Sequence, residues 1–341
     1  MSQGKLYVSD LLVPMAVDHV FALHNKSLKK TKKGDLYISA QLGDRTGKVE
    51  AVMWQANEAV YNHIQDGGLV HVKGRTEEYR GKTQIVIEAC RPVSPDSVDI
   101  SEFIATTPHD VDKMWTELLE ILRTIKDKYL RMLIKRFVED EKISSGFKKA
   151  PAAVQMHHAY TGGLCEHTLS VAKAARAILP NYPDLNHDLV LASVFLHDIA
   201  KIEELHSGLN TYYSDRGQLV GHLVIACLWI EKKAAEVSEE LSEPFPQKLI
   251  DLLQHIVLAH HGQHEFGSPK LPAVPEAFFI HYLDNLDAKM WMTSNAIHSD
   301  TDPDSAWTQY INALETRLFK GSRDNSPADG MLFLGYDPRD E

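Results

Sequence analysis

What the sequence has little of narrows the field first. Its 341 residues hold three cysteines, Cys90, Cys165 and Cys227, far apart and without a C-x-x-C spacing. Neither a disulfide framework nor a thiolate zinc site is expected, and each cysteine reads as a small buried hydrophobe. No apolar run approaches the roughly 18 residues that span a bilayer, so no membrane partner is expected. The opening MSQGKLYVSD alternates polar and apolar residues and lacks the basic start and apolar core of a secretory signal, which points to a cytoplasmic protein. No internal repeat period is visible either.

The chain also lacks net positive charge, at -11 overall, which argues at first against a polyanionic partner. The distribution reverses that argument. Residues 1–92 carry 13 Lys/Arg against 10 Asp/Glu, net +3, whereas the other 249 carry 23 against 37, net -14. Five lysines, Lys26, Lys29, Lys30, Lys32 and Lys33, crowd into NKSLKKTKKG. The acidic remainder would repel a phosphate substrate unless bound divalent cations reversed the local field.

The pattern along the chain divides accordingly. FALHNKSLKK, DLYISAQLGD, KVEAVMW, LVHVKGR and KTQIVIEAC read as five strands, with Arg-Thr-Gly and Gly81 marking turns and a short helix over 56–64 between the third and fourth. That order is the plan of an OB-fold, a Greek-key barrel that binds single strands. Beyond a proline- and serine-containing linker the period becomes helical. One or two amphipathic helices are expected in VDKMWTELLEILRTIKDKYLRMLIKRFV, then helices over 163–179, 186–201, 217–237, 246–261, 275–297 and 304–319. The expected organisation is multidomain: an all-β OB barrel over 1–92, a linker over 93–108, an all-α domain over 109–320 and a tail over 321–341.

Twelve of the 18 histidines lie between His157 and His281. Their company matters more than their number: His167 in CEHTLSVA, His197-Asp198 in FLHDIAK, His222 in GHL, His260-His261 in LAHHG and Asp284 in HYLDNLD. A lone helical histidine is usually a surface or satisfied core residue, and His157, His187, His206, His255, His264 and His281 are read so, whereas His158, which precedes the Gly162-Gly163 turn, is read as a candidate to line the pocket. His197-Asp198 is different, because a carboxylate inside an apolar helix is costly unless paired or coordinated. Phosphodiester hydrolysis needs divalent cations to polarise a phosphoryl oxygen and lower the pKa of a water, and mixed imidazole and carboxylate donors suit manganese, iron or zinc. Asp198 is placed to bridge two cations, and Lys201, three residues on, to offer positive charge to a phosphate oxygen. Asp284 and Asp287 lie three apart, one read as ligand and the other as a cap, pair or orienting partner. Gly262 reads as the residue ending the helix that carries His260 and His261.

The pattern H...HD...D, filled by His167, His197-Asp198 and Asp284, resembles the HD metal-dependent phosphohydrolase superfamily. The longer stretches GGLCEHTLSVA, LHDIAK, GHL, AHHGQHEFGSPKLPAVPEA and HYLDNLDAK are similar to the YhaM-type 3′-5′ exoribonuclease family, over roughly residues 1–320. The resemblance implies those four residues as ligands of one metal and His222, His260 and His261 as holders of a second. It also implies stepwise removal of nucleotides from the 3′ end of single-stranded RNA, extending to DNA, by hydroxide attack on the terminal phosphodiester. Manganese is the cation it favours, with magnesium, iron and zinc open and one or two ions per site. His260-His261 is followed by Gly-Gln-His rather than the Glu and Gly-Tyr-Pro of the cyclic-dinucleotide enzymes, which disfavours that substrate.

On independent grounds the barrel offers Lys26, Lys29, Lys30, Lys32 and Lys33 as charge and Tyr37, Trp54 and Tyr79 as stacking faces, Trp54 being read equally as core and the lysine run as a solvated loop. Two other functions stay open at this level. One is a nucleotide-level phosphohydrolase with a regulatory OB module; the other is a non-catalytic single-strand-binding protein with a vestigial metal site. Subunit number is open too.

Overall fold

The computed structural model describes residues 6–79, 81–154, 158–300 and 305–321. Strands β1 (Ala16–Lys30), β2 (Leu36–Asp44), β3 (Gly47–Met53), β4 (Leu69–Tyr79) and β5 (Lys82–Val93) close a barrel in the order β1-β2-β3-β5-β4, with helix α1 (Glu58–His63) between β3 and β4. Every ladder is antiparallel except β3 with β5. This is the five-stranded OB barrel. Alternate residues on the strands, among them Ile38, Ala40 and Leu42 on β2 and Val70 and Val72 on β4, point into one core around Phe21. Gly74 permits the bulge between β4 and β5, since a Cβ there would lie 2.1 Å from the carbonyl oxygen of Val86.

Lys26 departs from the expected basic cluster. Its ammonium donates to the carbonyl of Tyr61 at 2.6 Å and to that of Ile64, so it caps the C-terminal end of α1.

The helical unit comprises α2 (Val111–Leu122), α3 (Lys128–Val138), α4 (Glu141–Lys149), α5 (Gly163–Ile178), α6 (His187–Leu196), α7 (Lys201–Glu204), α8 (Asp215–Leu219), α9 (Gly221–Leu241), α10 (Gln247–Ala259) and α11 (Pro275–His298). Side chains of Asp110, Asp127, Asp140, Asn186 and Ser214 accept from first-turn N–H groups and start five of these helices. Helix α6 is buried on every side from Leu189 to Leu196. A helix apolar all round belongs in the middle of its domain. Its C-terminal end therefore delivers His197 and Asp198 to the interior. Around it Leu118, Phe137, Phe147, Phe195, Ile230, Leu253 and Ile256 share one core. No helix among the described residues is long and apolar enough to cross a membrane.

Several features differ from the sequence expectation: helix α4 lies where none is anticipated, and the helix anticipated over 186–201 ends at Leu196, with α7 following from Lys201. The helix anticipated over 217–237 divides at Gly221, whose φ of +76° starts α9 afresh. A two-residue ladder joins β6 (Leu205–His206) to β7 (Tyr212–Tyr213) within the helical unit. The helix anticipated at 304–319 does not form among the described residues there. Isolated bridges pair Trp307 with Phe319 and Ile311 with Thr316 around a 3₁₀ turn at Asn312–Leu314, and Glu315 has a φ of +53°. Aromatic and β-branched side chains favour such pairing over a helix. Residues 322–341, and with them MLFLGY, lie outside the described residues, as does His157.

The loop between β6 and β7 reaches the barrel. Leu209 packs against Ala22, Leu69 and Phe103, and the Asn210 amide meets Nδ1 of the buried His24. Burial pushes the His24 imidazole below its ordinary value of 6.5, and Lys48 adds to that against the hydrogen bond from Asn210. The neutral form is therefore favoured by folding. Its contribution is complete above about 6.5, where the unfolded residue titrates, and is lost as pH falls through the lower folded value. His24→Gln is expected to improve in Tm relative to the parent as pH drops from about 7.5 to 5. Parallel melting curves for the two proteins across that range would contradict the assignment.

Candidate metal centre and nucleic-acid face

All seven side chains singled out as metal holders meet at one place, supplied by five elements. Helix α5 brings His167, the end of α6 His197 and Asp198, the start of α9 His222, the end of α10 His260 and His261, and α11 Asp284. His167, His197, Asp198, His222 and His260 are buried. Gly262 turns the chain directly after His261 with a φ of +79°, and a Cβ there would lie 2.2 Å from the His281 ring. Glycine is required on both counts.

Asp198 stands between two sets of imidazoles. Its Oδ2 is 3.7 Å from His167 Nε2, 3.5 Å from His197 Nε2 and 2.6 Å from Lys201 Nζ. Its Oδ1 is 3.4 Å from His222 Nε2 and 3.6 Å from His260 Nε2. Asp284 Oδ1 faces His167 Nε2 at 3.2 Å. Donor atoms of His167, His197 and Asp198 form one group within 4.8 Å, and those of His222, His260 and His261 another.

The outer nitrogens explain why these imidazoles face inward. Nδ1 of His167 lies 2.7 Å from Asp287 Oδ2, that of His222 2.9 Å from Glu204 Oε1, that of His197 2.7 Å from the Val194 carbonyl and that of His260 2.8 Å from the Val257 carbonyl. Carbonyl partners accept only, so Nδ1 of His197 and His260 carries the hydrogen and Nε2 keeps its lone pair. Four imidazoles held by the far nitrogen are the arrangement metal-binding histidines adopt. Asp198 Oδ1, His222 Nε2 and His261 Nδ1 are buried without a hydrogen-bond partner, a costly state for polar atoms. A divalent cation would satisfy atoms of this kind, and the donor set fits one.

The electrostatics agree. Burial disfavours a charged His167, but the hydrogen bonds it donates to Asp284 and Asp287 outweigh it and raise its pKa to about 10. Burial lowers His197 to about 4 and His261 to about 3, leaving both neutral and able to donate lone pairs. Burial opposes the charged forms of Asp198 and Asp284, yet Lys201 for the first and His167 for the second hold them well below the usual carboxylate range.

Sequence reasoning left the Asp284/Asp287 roles open and missed other supports. Asp284 faces the centre, while Asp287 receives His167 Nδ1 and the hydroxyl of Ser170. Ser170, three residues after His167 on one helix face, was findable by spacing. Glu204, which holds His222 through both backbone N–H and Nδ1, was not, since nothing in Glu203-Glu204 says which points inward. His158 sits beside the centre, with Nε2 3.3 Å from Asp287 Oδ2 and Nδ1 2.9 Å from Tyr160 Oη.

On the barrel, Trp54 is 51% exposed, so it is not core. Its ring lies 5.2 Å from that of Tyr37. Lys29 is directly opposite Tyr37 in the β1–β2 ladder, and Lys29, Lys30, Lys32 and Lys33 are all exposed. Lys29, Tyr37 and Trp54 share one face, while Lys30, the next residue on β1, points to the other, and Lys32 and Lys33 lie in the turn between β1 and β2. Tyr79 is exposed as well but is not part of the Tyr37 face. Its partner Lys82 is six positions along β5 from the level of Trp54, because Val52 pairs with Val86; six residues are about 20 Å of strand.

Asp287→Asn is expected to weaken Mn²⁺ binding about 10- to 100-fold, the usual cost of losing a partner that orients a ligand. Calorimetric titration with Mn²⁺ measures it, and parental affinity would remove Asp287 from this role.

Comparison with known proteins agrees with both halves of this geometry. The HD domain family model matches residues 164–289 and the OB-fold nucleic acid binding domain model matches residues 23–93. The chain is 33% identical over 304 residues to the 3′-5′ exoribonuclease YhaM of Bacillus subtilis, covering 89% of this chain and 94% of that protein. Against YhaM of Halalkalibacterium halodurans the identity is 32% over 320 residues, covering 94% and 96%. Against that of Listeria innocua it is 33% over 306 residues, covering 88% and 93%. With the barrel, the HD helices and near full-length similarity all in register, the chain belongs to the YhaM 3′-5′ exoribonuclease family.

Proposed function

We propose that this protein is a divalent-cation-dependent 3′-5′ exoribonuclease acting on single-stranded RNA, and on single-stranded DNA as a secondary substrate. The observation that carries this reading is the two-sided arrangement about Asp198, with two imidazole nitrogens standing 3.4 to 3.7 Å from each carboxylate oxygen. His167, His197, Asp198 and Asp284 would hold one cation and His222, His260 and His261 a second, with Asp198 shared. Manganese is the preferred ion, since borderline imidazole and hard carboxylate donors both suit it. When bound, the cations supply Lewis-acid polarisation of the phosphoryl oxygens and lower the pKa of a water.

The protein's own groups do the rest. Asp287, Glu204 and the carbonyls of Val194 and Val257 keep four imidazoles in one orientation, so little reorganisation accompanies the reaction. Lys201, partly buried and 2.6 Å from Asp198, keeps a fixed positive charge beside the reacting phosphate. Burial disfavours that charge, but Asp198 raises the lysine pKa, so the ammonium persists throughout the working range. The Tyr37–Trp54 pair and the four exposed lysines hold the single strand by stacking and by phosphate contact.

Product analysis on 5′-labelled single-stranded RNA with Mn²⁺ tests the proposal. A ladder shortening from the 3′ end, abolished by chelator and restored by Mn²⁺, is expected; cleavage confined to free nucleotides would defeat it. Asp198→Ala should remove turnover while leaving RNA binding intact. Lys201→Met should lower kcat about 100-fold, the cost of losing one preorganised electrostatic contact, with Mn²⁺ affinity nearly unchanged. Undiminished kcat would show that Lys201 serves only the fold.

A further inference from the structure

The ribbon formed by β6 and β7 touches both halves of the protein and supplies none of the metal-facing side chains. At its base, Ser214 N–H donates to the Glu204 carbonyl at 2.8 Å and Ser214 Oγ to the Glu203 carbonyl at 2.7 Å. Glu204 is the residue that holds His222. At its tip, Leu209 packs on Ala22, Leu69 and Phe103, and Asn210 reaches His24. One short ribbon thus runs from a support of the metal centre to the wall of the barrel.

Its upper surface is aromatic. His206 and Tyr212 are paired in the ladder, with rings 5.1 Å apart and 42° between their planes. Paired residues lie on the same face of a ribbon. His206 is exposed and Tyr212 is 58% exposed. Their ladder neighbours Leu205 and Tyr213 occupy the other face, with Leu205 buried. Tyr212 is two residues from Ser214, about 7 Å of extended chain. The face is held rigidly at both ends, so the rings are ordered before any ligand arrives, which lowers the entropic cost of stacking on them.

We infer that the His206–Tyr212 face is a nucleobase-stacking platform that receives the last nucleotides of a single strand between the barrel and the metal centre. The inference rests on the proposed single-strand specificity. Every base has a π-face, so such a platform is indifferent to sequence, as stepwise removal of successive nucleotides requires. Tyr212 supplies the larger exposed ring, while His206 backs it from the neighbouring strand.

Fluorescence of single-stranded RNA carrying 2-aminopurine, measured on the full chain in chelator so that no cleavage occurs, tests this. Quenching on binding that depends on Tyr212 is expected with the probe within the last few 3′ nucleotides, whereas quenching farther towards the 5′ end, from the Tyr37–Trp54 pair, should not depend on Tyr212. Tyr212→Ala should remove the 3′ quenching and raise Kd about 5- to 100-fold, the loss expected for one stacked base, while Tyr212→Phe keeps both. Mn²⁺ affinity of the alanine variant should match the parent. Unchanged quenching and Kd in Tyr212→Ala, or a phenylalanine variant as weak as alanine, would overturn the platform. A fall in Mn²⁺ affinity would overturn it too, because the ribbon would then act through Glu204. A parent protein that binds and quenches but leaves RNA intact with Mn²⁺ would defeat the exonuclease reading and leave the platform standing.

Discussion

Two carboxylates placed in the interior of a helical domain set the terms for the rest of this molecule. Asp198 is 2% exposed and Asp284 faces the same buried centre. Removing such groups from water without compensation costs many kcal/mol. Within the protein the compensation is partial: Lys201 pairs with one oxygen of Asp198, and a protonated His167 pairs with Asp284. The second oxygen of Asp198 remains without a hydrogen-bond donor although two imidazole nitrogens stand within 3.6 Å of it. That shortfall makes the centre a place for cations rather than a buried salt bridge. Added cations would displace the His167 proton and neutralise the carboxylates at the same time.

The fold can be read as the means of enforcing this arrangement. An all-apolar α6 has to lie at the middle of its domain, so whatever follows its last turn emerges at depth. The ends of α6 and α10 then use their own backbone carbonyls, those of Val194 and Val257, to fix His197 and His260. These anchors need no additional side chain. They draw on the carbonyls that every helix leaves without partners at its C-terminal end, which explains why two metal-facing histidines sit at helix termini. His167 and His222, at or near helix starts, lack such carbonyls and are fixed by Asp287 and Glu204 instead.

These anchors also mark the boundary of what the sequence discloses. His197-Asp198 was legible because an acid in an apolar run has few physical explanations, and the five strands were legible from their alternation and turn residues. The backbone anchors of His197 and His260 have no side-chain signature at all. Glu204 is masked by Glu203. Lys26 looks like its lysine neighbours, yet long-range packing assigns it to two carbonyls of α1. The strand-like pairing around Trp307 and Phe319 fails the helical expectation for a related reason: apolar spacing over so short a segment does not separate a helix face from a hairpin.

The charge asymmetry acquires a physical sense once the two units are joined. The barrel half is net +3 and the remainder net -14, so a polyanion is drawn to the first and repelled by most of the second. Screening confines each field to about 8–10 Å at ordinary ionic strength. In the proposed scheme a phosphate would meet attraction close to Lys201 and to the cations that the histidine and aspartate cluster would hold. The net negative charge of the helical unit would, in that scheme, discourage phosphates that arrive from bulk solution and would penalise least those already held by the barrel. The contact of Leu209 and Asn210 with the barrel matters for this reason. Discrimination by charge works only if the basic face and the centre keep a constant separation, and a ribbon tied to Glu204 at one end and to His24 at the other supplies it.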